Sequence, residues 1–266
     1  LLLRYFSGEA RGITPDVPLF FRAAVGMVIV LACFRGRRPT RIKPVFVDRL
    51  LILRGLTGLL GTAAYYWTVP TLGAGMATLI CNTYVIFASV IAVLALGEKL
   101  TPARFFWLAI AFVGIVLLVA PNGGVDPVRI GINEIIALIG AVLAASSVVL
   151  VRRLVVDFSI GTIYLSQCIW IFLPLLFLAV PKLGALSGDE IALLVLAAVF
   201  AGWGQLAMNE GYRCLSVATG ASLQMLWPVL TTLGGFLLFG ELFLTCQLVG
   251  AVLILASVWR VSVQRA

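Results

Sequence analysis

Eight side chains able to hold a polar ligand stand inside otherwise apolar stretches of this sequence: Arg22, Tyr66, Asn82, Tyr84, Gln205, Asn209, Gln224 and Trp227. Polar groups immersed in hydrocarbon are costly, so each must satisfy a neighbour or face an aqueous or ligand-filled cavity. Their types suit binding rather than bond-making. Amides orient a polar ligand by donating and accepting, aromatic rings pack against its body, and a guanidinium suits an anionic group. On helices, Gln205 and Asn209 (spaced i, i+4) share one face, and Gln224 and Trp227 (i, i+3) share another. These surfaces are expected to line one central cavity. The alternative is hydrogen bonding between helices together with aromatic belts at the membrane interface, and it weighs most on Tyr66 and Trp67.

Residue types elsewhere narrow the chemistry. The chain has no histidine, and its five cysteines (Cys33, Cys81, Cys168, Cys214 and Cys246) are scattered without a CxxC pair. His-based acid–base chemistry and metal-ligand spacing are therefore both missing, and the cysteines read as small packing residues. No HExxH, Asp-rich prenyl-diphosphate motif, nucleophile–base pair or P-loop occurs, so an enzyme is not expected and no cofactor is implied. Arg22 and Arg54 each lie about one turn inside the end of an apolar stretch, from where both can snorkel to headgroups. Arg22 is the candidate for an anionic ligand group. Glu210, three residues before Arg213, is expected to form a local ion pair.

The elements that position these residues follow from composition. Apolar residues make up 62% of the 266 and charged residues only 11%, against roughly 45–50% and about 25% in a globular domain. The apolar residues come in long blocks, so the chain is read as an all-α integral membrane protein. The net charge of +8 is confined almost wholly to the breaks between blocks, which makes it a topology signal and not a nucleic-acid footprint. Nine stretches approach the ~20 residues a spanning helix needs: 17–34, 50–69, 74–96, 103–120, 131–151, 160–180, 191–212, 217–239 and 243–261. Pro70-Thr71-Leu72-Gly73, residues 97–102 and Gly240-Glu241 read as tight antiparallel returns. Pro228, inside a stretch, permits a kink. The sequence opens at Leu1-Leu2-Leu3-Arg4 without Met, as though leaving an earlier helix, so a tenth helix upstream is expected.

The loop after the first stretch holds Arg35, Arg37, Arg38, Arg41, Lys43 and Arg49, and the positive-inside rule places it in the cytoplasm. Alternation then puts Lys99, Arg104, Arg152, Arg153, Arg213, Arg260 and Arg265 on the same side, with a cytoplasmic C-terminus at the cell (inner) membrane. Residues 75–117 lie on 218–260 at a constant offset of 143, with Gly97-Glu98 matching Gly240-Glu241. Thr62 then corresponds to Gln205, Tyr66 to Asn209, Cys81 to Gln224 and Tyr84 to Trp227. Five helices per half force the second half to enter from the opposite face. Inverted halves of this kind suit a carrier that opens a central site to either side in turn, whereas a channel would show a pore loop or charged ring.

A ten-helix chain of two five-helix halves, with Gly97-Glu98-Lys99-Leu100-Thr101-Pro102 in one and Gly240-Glu241-Leu242-Phe243 in the other, resembles the drug/metabolite transporter superfamily in its EamA-type branch. Leu19-Phe20-Phe21-Arg22 is similar to the aromatic-Arg start of that family's second helix. The resemblance covers nearly the whole chain, as a first repeat over 1–122 and a second over 131–266, with the family's first helix lacking. It implies export or exchange of amino acids, nucleosides, other metabolites or toxic compounds, without cofactor or ATPase. The partners expected are a small-molecule substrate and the lipid bilayer, with a homodimer as an open option and no nucleic acid.

Overall fold

The computed structural model describes residues 14–34, 40–98, 101–119, 131–239 and 245–263. Among them the regular structure is all α-helix: α1 (Asp16–Cys33), α2 (Lys43–Val47), α3 (Arg49–Asn82), α4 (Tyr84–Leu96), α5 (Pro102–Val119), α6 (Ile132–Leu154), α7 (Ile160–Leu183), α8 (Gly188–Cys214), α9 (Val217–Gln224), α10 (Leu226–Phe239) and α11 (Thr245–Val263). Among the described residues, five helical stretches are long and apolar enough to cross a bilayer: Asp16–Cys33, Met76–Leu96, Ile132–Leu154, Ile160–Leu183 and Gly188–Cys214. Leu94 and Phe177 are each 80% exposed, a placement that suits lipid and not water. Gly240, Glu241, Lys99, Arg35, Arg37, Arg38 and Arg265 lie outside the described residues.

Three helix boundaries differ from the sequence reading. The return expected at Pro70-Thr71-Leu72-Gly73 is helical, and α3 runs from Arg49 to Asn82 without interruption. Pro70 removes one N–H from the ladder, yet a membrane helix tolerates this because side chains and neighbouring turns re-satisfy the backbone. The flanking Thr68 and Thr71 hydroxyls bond other carbonyls of the helix, those of Ala64 and Thr68, at 2.8 and 3.1 Å. The break comes instead at Thr83, where Asn82 Nδ2 takes the Thr78 carbonyl at 2.8 Å and Thr83 Oγ1 takes that of Ile80 at 2.6 Å. Side chains that compete for backbone carbonyls in this way loosen a helix.

The third difference is in the stretch 217–239, which divides into α9 and α10 at Met225. Pro228 has no N–H for the carbonyl four residues earlier, that of Gln224, and α9 ends at Gln224. The proline therefore sits in the first turn of a new helix rather than kinking an old one. Under the offset of 143, the two interruptions fall within one residue of each other.

The helices form two compact units. Unit I comprises Gly61–Val149 and Leu215–Ala266, and unit II comprises Leu2–Leu60 and Leu150–Cys214. In unit I, α5 packs along α11, and α9 packs on α4 and α11. Gly114 lets α5 approach the backbone of α11, since a Cβ there would stand 2.8 Å from the Gly250 carbonyl oxygen. The Gly-Glu turn has a local mechanism. Gly97, at φ 66°, ends α4 in the left-handed region, and Glu98 then accepts the Val217 N–H at 2.9 and 3.1 Å. A carboxylate is thereby fixed at the positive N-terminal end of α9. At the same end of the unit, the Arg260 guanidinium lies 5.8 Å from the Trp107 ring.

In unit II, α1 packs against α7 and α8 around Ile29, Val30, Tyr164, Leu165, Cys168 and Leu206. Lys182 pairs with Asp16 at 2.8 Å at one end. At the other, the Arg41 N–H bonds Thr162 Oγ1, and Arg152 caps α8 by donating to the Tyr212 and Arg213 carbonyls at 2.7 and 2.8 Å. Arg41, Arg152 and Arg213 thus gather at one end of this unit.

Candidate functional site: two buried polar groups

In unit II, α1 and α8 bring three of the eight candidates into one chain. Arg22 Nη2 donates to Gln205 Oε1 at 3.1 Å, and Gln205 Nε2 donates to Asn209 Oδ1 at 3.4 Å. The spacing on α8 produces this, since Gln205 and Asn209 lie one turn apart on its buried face. Asn209 is wholly buried and its Nδ2 has no hydrogen-bond partner. A buried donor left without an acceptor costs about 1–3 kcal/mol.

A second polar pair in unit II is absent from the sequence reading. Arg54 is only 2% exposed and donates from Nη2 to Gln167 Oε1 at 2.8 Å. The expected snorkelling to headgroups is thereby corrected, because Gly58 leaves room for the guanidinium to fold deeper along α3. A Cβ at Gly58 would stand 2.5 Å from Arg54 Nη1 and 3.1 Å from Gln167 Nε2. Gln167 and the buried Tyr164 share a face of α7, and Ser166 in the same turn donates to the Leu51 carbonyl. The polar run Ser166-Gln167-Cys168 inside an apolar stretch carried the same signal as Gln205 and could have marked this face. Arg54 could not be sorted by sequence, because position alone does not say which way a long side chain bends.

In unit I, Tyr84 Oη donates to Gln224 Oε1 at 2.7 Å, so two more candidates meet. Asn82 spends its amide on its own helix. Tyr66 is half-buried and sits edge-on to Tyr65 at 5.9 Å, while Trp227 is 64% exposed. Among the described residues neither Tyr66 nor Trp227 has a hydrogen bond to another candidate. Glu210 and Arg213 form the expected ion pair at 3.0 Å. A recess of about 520 Å³ in unit II, lined by Lys43, Asp48, Arg49, Leu50 and Phe158, includes none of the eight. Among the described residues no cluster of His, Cys, Asp and Glu could hold a metal ion.

Comparison with known proteins gives the family of the chain. The chain is 23% identical over 255 residues to the pseudopaline exporter CntI of Pseudomonas aeruginosa, covering 94% of this chain and 87% of that one. It is 29% identical over 143 residues to human solute carrier family 35 member G1, where the match takes in 50% of this chain and 39% of that protein's length. A crystal structure shares the fold with a TM-score of 0.81 at 17% identity, over 98% of this chain and 93% of the other. The model of the EamA-like transporter family matches twice, over residues 7–120 and 131–263. The chain belongs to the EamA-like transporter family, and is a multi-pass membrane protein of a transporter class.

Proposed function

We propose that this protein is a secondary carrier that exports a small metabolite, such as an amino acid, a nucleoside or a related compound, across the cell (inner) membrane by alternating access. The observation that carries this reading is the double match of one family model, once to each half of the chain. Two copies of one helical unit, inverted relative to each other, give a protein two near-equivalent arrangements that exchange by rocking, which is how a fixed site becomes accessible from either face. On this reading the repeats are 1–122 and 131–266, ten helices complete the fold, and the C-terminus is cytoplasmic. Export is taken from the relative named as an exporter.

The proposed substrate contacts are Arg22, Gln205 and Asn209 in unit II and Tyr84 and Gln224 in unit I, with Tyr66, Asn82 and Trp227 beside them. Buried amides and a guanidinium inside lipid-embedded helices support this, since such groups persist where they bind something. Reconstitution into proteoliposomes tests the carrier. Radiolabelled metabolite should enter faster when the unlabelled compound is on the far side, which a channel cannot produce. Uptake indifferent to far-side substrate ends the carrier reading. Normal transport by Gln205→Ala, Asn209→Ala, Gln224→Ala and Trp227→Ala alike ends the site assignment.

A further inference from the structure

We propose that the recess at the α2–α3 corner of unit II is a binding site for an anionic phospholipid, with Lys43 and Arg49 taking the headgroup phosphate and an exposed apolar stripe of α3 taking an acyl chain. The site needs only a chain embedded in a bilayer, and it is independent of what the carrier moves.

Its depth follows from two hydrogen bonds. The Arg41 N–H bonds Thr162 Oγ1 at 3.0 Å, and Ser166 Oγ donates to the Leu51 carbonyl. Residues 41–51 therefore run beside the first two turns of α7, a helix of spanning length that begins at Ile160. That is the level at which a spanning helix passes from the headgroup layer into hydrocarbon. Here α2 turns Val45 inward, wholly buried, while Ile42, Phe46 and Val47 stay exposed. Phe46 leans on Trp170 of α7 with ring centroids 6.4 Å apart, and Gly55 of α3 leaves the space that the Trp170 ring occupies. A segment held by its inner face, with apolar side chains outward and cations beside them, suits the membrane interface and not water.

Charge supplies the second argument. Lys43 and Val47 (i, i+4) share a face of α2 and line a recess of about 520 Å³ together with Arg49, Leu50 and Phe158. Sites for small ligands run from roughly 300 to 1,000 Å³, so the recess has the size of a headgroup site. Among the described residues neither the Lys43 ammonium nor the Arg49 guanidinium has a hydrogen-bond or ion-pair partner. Asp48, which also lines the recess, is engaged elsewhere. Its Oδ1 accepts the Leu50 and Leu51 N–H groups at 2.9 and 3.0 Å and so caps α3. Two cations beside one capping carboxylate leave a net positive corner, and a phosphodiester carries the complementary charge.

Continuity selects a lipid over a soluble anion. Leu50, which lines the recess, opens a row of exposed residues, Leu50, Leu53 and Leu60, along one face of α3. The row leads from the two cations into the hydrocarbon layer. A soluble phosphate engages the cations alone, whereas a phospholipid engages cations and row together.

The test is thermal unfolding of the purified full chain, delipidated by detergent exchange, with dioleoylphosphatidylglycerol, dioleoylphosphatidylcholine or glycerol 3-phosphate added at equal concentration. Phosphatidylglycerol should raise Tm saturably by several degrees, and the other two should do much less. Each Lys or Arg at an anionic lipid surface is worth about a fivefold preference, so Lys43→Gln combined with Arg49→Gln should raise the half-saturating phosphatidylglycerol roughly thirtyfold. The exchanged pair Lys43→Arg and Arg49→Lys keeps both charges and should keep the response. Arg153→Gln removes a different exposed cation of unit II, at the end of α6, and should leave the response unchanged. Val47→Glu keeps both cations, sets a carboxylate in the recess at an exposed position, and should weaken the response by about fivefold or more.

No stabilisation by phosphatidylglycerol, or equal stabilisation by phosphatidylcholine, overturns the proposal, as does a double Gln variant that responds like wild type. Glycerol 3-phosphate acting as strongly as the phospholipid would make this a soluble-anion site and reject the lipid. Arg153→Gln weakening the response as much as the double variant would reduce the effect to general surface charge and reject the site.

Discussion

Tyr84 Oη donates to Gln224 Oε1 at 2.7 Å, tying the first residue of α4 to the last residue of α9 across 140 positions of sequence. Both residues stand where a long apolar stretch breaks in two, so the bond fixes one interruption against the other. Tyr84→Phe and Gln224→Leu should each lower stability by about 1 kcal/mol, the usual net worth of such a bond. The double variant should lose clearly less than the sum of the singles. Thermal unfolding of the four proteins in detergent checks this, and strict additivity would show that the bond carries no coupling.

The Gly-Glu turn makes a separate prediction within unit I. A Cβ at Gly97 meets nothing within 4 Å, so the cost of Gly97→Ala is conformational only, about 1 kcal/mol for an L residue at φ 66°. Gly97→Asn should cost less, because Asn tolerates the left-handed region. Glu98→Ala removes the acceptor at the α9 N-terminus and should cost about 1 kcal/mol, with Glu98→Gln retaining part of the effect. Melting temperatures ranked wild type, then Gln, then Ala at position 98 would establish a cap; equal values would not.

Close approach of α1 to α7 depends on Gly26. Its missing Cβ leaves space for Tyr164 Oη at 2.6 Å and Cys168 Sγ at 2.8 Å. Gly26→Ala overpacks that contact and should destabilise by about 1–3 kcal/mol. Tyr164→Phe removes the nearest of the two clashing atoms, so the double variant should regain part of the loss. Equal instability of the single and double variants would place the strain elsewhere on α1.

Most of the lipid-facing architecture was legible because it rests on blocks of apolar residues and on where Lys and Arg interrupt them. Arg41, Arg152 and Arg213 meeting at one end of unit II, opposite the Asp16–Lys182 pair, is the same signal in three dimensions. The interruptions were less legible. Pro70 looked like a loop and lies within α3, while Thr83 carried no breaker residue and ends it. The Thr83 break turns on which hydroxyl or amide competes for a backbone carbonyl, a property of rotamers and not of composition. The same limit hid Arg54. A sequence gives its depth but not the space beside Gly58 that lets it bend inward toward Gln167.

Topology supplies the last prediction. In unit I, Arg260 near the end of α11 lies over Trp107 near the start of α5, so residue 101 stands at the Arg260 end of α11. Glu241, outside the described residues, precedes the first residue of α11. From Thr245 to Arg260 that helix rises about 22 Å, most of a ~30 Å hydrocarbon core. Positions 101 and 241 should therefore open to opposite faces of the membrane. In a chain freed of its native cysteines, Thr101→Cys should react with an impermeant maleimide only in inside-out vesicles, and Glu241→Cys only in right-side-out ones. Labelling of both from one face would mean that the two Gly-Glu turns share a side, and the antiparallel relation of the halves would then have to be given up.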